Sequence, residues 1–136
     1  MRKILSMVLG AGAAMLVVAA FDALASYLYP LPVLESGDPD ALAAVVAGMP
    51  LTAKWFVVAG WLAGALAGAW LALRISDWRP TGWIVTVVVL AGSIANIAML
   101  PHPLWMQLCA VLLPVLGGAA GIWLHRKPYP GEPLLG

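Results

Sequence analysis

Four apolar runs, each about as long as a bilayer-crossing helix must be, constrain this chain more than anything else in it. They cover residues 4–29, 51–73, 82–100 and 104–124. Each is bounded by helix breakers or charge. Pro30 and Pro32 end the first, Pro50 precedes the second, and Pro80 and Gly82 open the third. Pro101 and Pro103 separate the third from the fourth. Pro114 falls inside the fourth, where loss of a backbone donor predicts a kink.

Composition supports the same class. Of 136 residues, 63% are hydrophobic and 10% charged, against about 25% charged in an ordinary soluble domain. A chain this short cannot bury that much apolar surface in one water-soluble core, so lipid must be the solvent for much of it. The expected fold is an all-α membrane protein in one transmembrane domain. Net charge is +1, and no basic stretch offers a footprint for nucleic acid. The single cysteine, Cys109, lies in the fourth run and reads as a small core residue.

Positive charge predicts the orientation. Arg2 and Lys3 precede span one, Arg74 and Arg79 flank the link between spans two and three, and His125, Arg126 and Lys127 follow span four. All fall on one side, read as cytoplasmic, which puts both termini inside a bacterial inner membrane. The other side carries Glu35, Asp38 and Asp40, with Lys54 its only basic residue. Span one also has signal-peptide features, with Ala23-Leu-Ala25 before Ser26. Its apolar core exceeds the usual length of about 7–15 residues, so it is read as retained.

The halves 1–74 and 80–127 resemble each other. Gly64-Ala-Leu-Ala-Gly-Ala-Trp-Leu71 aligns with Gly117-Gly-Ala-Ala-Gly-Ile-Trp-Leu124, and Pro50-Leu51 with Pro103-Leu104. Pro30-Leu-Pro32 matches Pro101-His-Pro103. The reading is two helical hairpins in parallel repeat, the first with an inserted loop. In that loop Asp38 suits an N-cap, Pro39 the first helical turn and Gly48 the end. Ala41, Leu42, Val45 and Val46 give it an apolar strip, which predicts a short helix on the outer surface or capping the bundle.

Small residues recur at close-packing spacing: Gly60, Gly64 and Gly68 in span two, Gly117 and Gly121 in span four, Gly10 and Ala14 in span one. These stripes either close the bundle or dock a second copy or another protein. The seven tryptophans lie mostly near span ends, as an aromatic belt does.

The strongest chemical signal is Asp22, an acid inside span one. Ionisable groups at membrane depth are costly and commonly functional. Asp22, Ser26 and Tyr29 share one helix face. Ser93 and Asn96 share a face of span three, with Ser93 matched to Asp22 by the repeat. His102 sits in the turn before span four, and Lys54 and Gln107 open spans two and four. Asp22, Ser26, Lys54, Ser93, Asn96, His102 and Gln107 therefore form a candidate polar pocket on the outer side. The functional reading is a proton or cation site. The structural alternative pairs Asp22 with Lys54, or bonds it to Asn96 and Ser93, to pin helices together.

Other chemistry has less support. His102 and His125 lie at opposite faces, no His/Cys/Asp cluster has metal spacing, and no serine or cysteine has an evident base. No catalytic residue, metal or cofactor is expected.

The combination of Asp22, Tyr29-Pro-Leu-Pro32, Asp38-Pro-Asp-Ala-Leu42 and Ala95-Asn-Ile-Ala-Met-Leu-Pro-His-Pro-Leu-Trp105 resembles a group of small bacterial four-span membrane proteins. The resemblance covers most of the chain, and its most specific part is the Pro-His-Pro-Leu-Trp turn. It implies a bacterial membrane protein and carries no activity. The group's pattern has a histidine where this chain has Ser26, which weakens any acid–histidine pair there.

The leading expectation is a non-enzymatic accessory or assembly subunit, joining a homo-oligomer or larger membrane complex through its glycine faces. The rivals are an oligomeric small transporter or channel using Asp22, and a lipid-binding protein whose pocket holds a head group.

Overall fold

The computed structural model describes residues 1–33 and 37–125. Glu35, Arg126 and Lys127, used above to assign sidedness, lie outside the described residues. The helices are α1 (Arg2–Leu28), α2 (Pro39–Gly48), α3 (Leu51–Ser76), α4 (Arg79–Met99) and α5 (Leu104–Leu124). Four of the five, α1, α3, α4 and α5, are long and apolar enough to cross a membrane, and no strand occurs among the described residues.

The four long helices alternate in direction. α3 is the hub, packed against α1, α4 and α5, while the backbones of α1 and α5 do not approach each other closely. Glycine explains the close approaches. A Cβ added at Gly68 would lie 2.6 Å from the Gly10 carbonyl oxygen, and one at Gly64 would lie 2.6 Å from Val18 Cγ2. Gly60 meets Phe21 in the same way. α5 packs on α3 through Gly117 and Gly121, which face the Leu62 and Leu66 carbonyls, while Gly118 faces Thr86 of α4. With lipid outside, such backbone proximity supplies the van der Waals contact that hydrophobic burial supplies in water.

The glycine stripes proposed as an assembly surface are thus occupied inside the monomer. The repeat is not visible in the packing either. Gly64 faces α1 and its sequence counterpart Gly117 faces α3, because α5 must serve two neighbours where α3 serves three. Trp61 also departs from the belt reading. It is 3% exposed and packs with Val58, Met106 and Ala110.

The basic end of the bundle is tied by polar contacts. Arg2 Nε donates to the Ile75 carbonyl at 3.0 Å. Lys3 lies over the Trp78 ring at 4.4 Å and Arg74 over the Trp70 ring at 5.5 Å. Asp77 caps α3 in the left-handed conformation, φ 48°, which aspartate tolerates better than most residues. There its carboxylate meets His125 Nε2 at 2.8 Å, joining the ends of α3 and α5. This pair was missed in the sequence. The available signal was an aspartate closing an apolar run two residues before Arg79 and Pro80.

Candidate ligand-binding cavity

α2 positions the site. Asp38 accepts from the Asp40 backbone N–H at 3.0 Å, and Pro39 occupies the first turn. The resulting helix lies over the other end of the bundle with no close backbone-to-backbone approach to a long helix, and reaches the bundle through side chains. Val46 is buried, and the space beneath is a cavity of about 260 Å³ that opens on one side.

Leu42, Val45 and Val46 of α2 and Met49 just after it form its roof, and Ala25, Leu31, Val57 and Leu100 give the apolar wall. The polar wall is Asp22, Ser26 and Tyr29 from α1, Asn96 from α4 and His102 from the following turn. Helical spacing puts the three α1 side chains on one face. A tilted aromatic pair, Tyr29 and Phe56 with centroids 6.5 Å apart, fixes the end of α1 against α3.

Four of the seven polar residues proposed from sequence line this cavity: Asp22, Ser26, Asn96 and His102. The other three are engaged elsewhere. Lys54 Nζ lies 3.5 Å from the Ala47 carbonyl, at the end of α2. Gln107 Nε2 donates to the His102 carbonyl at 2.9 Å. Ser93 Oγ donates between helices to the Ala110 carbonyl at 2.6 Å. The repeat-based match of Ser93 to Asp22 therefore does not put them in one site. Of the roof residues, Leu42, Val45 and Val46 belong to the expected strip, and Met49 was not anticipated.

Neither alternative partnering of Asp22 is present. Among the described residues its carboxylate has no hydrogen bond and no ion pair; the one ion pair is His125–Asp77. Asn96 Oδ1 is a buried acceptor without a partner. His102 Nδ1 lies 2.8 Å from the Leu100 carbonyl. A carbonyl only accepts, so Nδ1 carries the hydrogen, and Nε2 of the neutral ring keeps a lone pair. Among the described residues no lysine or arginine lines the cavity. Its polar wall sets the Asp22 carboxylate, the one acid there, among neutral groups, with acceptors on Asn96 and His102 and donors on Ser26, Tyr29 and the Asn96 amide.

No three His, Cys, Asp or Glu side chains among the described residues cluster as a metal site would require. Comparison with protein-family models, curated proteins and solved structures finds no match for this chain.

Proposed function

We propose that this chain is a small bacterial inner-membrane protein that binds and exchanges a proton or cation at Asp22, as the subunit of an oligomeric transporter. The observation that carries this is an unpartnered carboxylate facing an open cavity at membrane depth. An acid that pins helices together does so through a bonded donor, and Asp22 has none among the described residues.

The positive-inside rule supports putting the Arg2, Lys3, Arg74, Arg79 end in the cytoplasm and the cavity on the outer face, with α2 as a short outer helix. Below the cavity, Val58, Trp61 and Ala65 fill the space between helices. That filling favours a carrier that rearranges over a standing pore, and four spans favour an oligomer for any wide path. The sequence repeat fits an ancestral two-span hairpin that was duplicated. Taking up and releasing a proton or cation is all that the cavity residues are asked to do, so the role proposed is binding and not catalysis.

The glycine faces that would carry an accessory role pack against helices of the same chain, which supports the transport reading over it. The test is flux in proteoliposomes. Proton- or cation-coupled uptake should disappear in Asp22→Asn while the variant stays folded and monodisperse. Equal flux in both proteins would refute the assignment.

A further inference from the structure

We infer that the ligand of the Asp22 cavity is a primary ammonium group on a small apolar body, either a free amine or the ethanolamine head group of a lipid. This rests on the cation-site reading above and narrows it to a chemical class.

The lone carboxylate, with acceptors beside it and no basic side chain among the described lining residues, makes the selection. A primary ammonium carries one positive charge and three N–H donors. The cavity offers three kinds of acceptor for them: the Asp22 carboxylate, the partnerless Asn96 Oδ1 and the free nitrogen of His102. Charge-assisted hydrogen bonds of this sort are the strong ones. An anionic head group would face the Asp22 carboxylate and, among the described residues, no lysine or arginine. A quaternary ammonium has no N–H to give, and it favours cages of Trp, Tyr or Phe faces, of which Tyr29 alone is present among the described lining residues.

The rest of the wall argues against a bare inorganic ion. Leu42, Val45, Val46, Met49 and Val57 present hydrocarbon, which cannot replace a hydration shell. The same surface suits a short alkyl chain. A volume of about 260 Å³ holds a ligand on the order of ten non-hydrogen atoms, at roughly 30 Å³ per water-sized group. The roof belongs to α2, which stands clear of the spans and so leaves room for a chain to lie beneath it.

The experiment is calorimetric titration of the whole protein in phosphatidylcholine nanodiscs, with empty discs as background. The probes are propylammonium, tetramethylammonium and sodium. We expect saturable one-site binding of propylammonium, at least tenfold weaker binding of the other two, and loss of the signal in Asp22→Asn. Leu42→Trp fills the cavity from α2 without altering a span, so it should abolish binding even if Asp22→Asn proves unstable.

Discs containing phosphatidylethanolamine separate the two sources. If propylammonium affinity falls severalfold there, in an Asp22-dependent way, the head group is the occupant; if it is unchanged, the ligand is a free amine. Asp22-dependent sodium binding without propylammonium binding overturns the ammonium assignment and leaves the cation site standing. Tetramethylammonium binding as tightly as propylammonium removes the N–H argument. Propylammonium binding that survives both substitutions places the ligand elsewhere, and no binding of any cation removes both readings.

Discussion

Ser93 donates its hydroxyl to the Ala110 carbonyl at 2.6 Å, the very carbonyl that Pro114 leaves without a helical donor. Proline has no N–H, so the carbonyl four residues earlier loses its usual partner. Inside a membrane no water replaces it. The neighbouring helix does so instead, and α5 continues unbroken from Leu104 to Leu124 with Pro114 buried in its midst. A residue that reads as a liability in one helix thereby specifies which face of another must lie against it.

Removing the hydroxyl should expose this coupling. We expect Ser93→Ala to destabilise the bundle by about 1 kcal/mol, the ordinary worth of an interhelical hydrogen bond in a membrane. In a Pro114→Ala background the carbonyl regains its own N–H, and the same serine substitution should cost much less. A double-mutant cycle of unfolding in bicelles measures the difference.

Glycine substitutions should divide sharply by position. Gly68→Leu and Gly121→Leu drive side chains into the backbones of α1 and α3, so the monomer itself should lose its fold. Gly12 and Gly92 have nothing within 4 Å of an added Cβ. Alanine there should be neutral or stabilise by a few tenths of a kcal/mol, because it costs less conformational entropy than glycine. Thermal unfolding with tryptophan emission distinguishes the two groups. If Gly68→Leu left the monomer intact and only dissolved an oligomer, the packing described above would be wrong.

Asp77 has two jobs, and two substitutions separate them. Asn tolerates the left-handed φ and keeps a hydrogen-bonding side chain for His125, so Asp77→Asn should change stability little. Asp77→Ala loses the His125 contact and places a Cβ residue without a local side-chain bond in that conformation, at a cost of about 1–2 kcal/mol. Gly at the same position should recover the backbone part alone. Melting temperatures of the three variants give the partition.

Much of the fold was legible because membrane helices obey simple constraints. Length and hydropathy located four spans within three residues of their observed ends, and Asp38, Pro39 and Gly48 marked α2. What did not transfer was facing. Periodicity says which side chains share a face of one helix, but the neighbour that meets the face depends on all the crossings together. Hence Ser93 sits against Ala110 and not beside Asp22, and Trp61 lies in the core although other tryptophans sit at the ends.

The candidate site was legible in the same partial way. Asp22, Ser26, Asn96 and His102 were near one level by residue count, and the cavity unites them. Lys54 and Gln107 were at that level too, yet their side chains end on backbone carbonyls that cap α2 and the turn. A sequence gives depth well and direction poorly. The roof from α2 had no signal beyond an apolar strip, since a strip that faces a cavity reads the same as one that faces lipid.

The most direct measurement is charge displacement on a solid-supported membrane, recorded as a jump in proton or ammonium concentration is applied to reconstituted protein. Wild type should give a saturable transient current and Asp22→Asn none, with Leu42→Trp also silent for the ammonium jump. Transients of equal size in wild type and Asp22→Asn would contradict the claim that this carboxylate is the site.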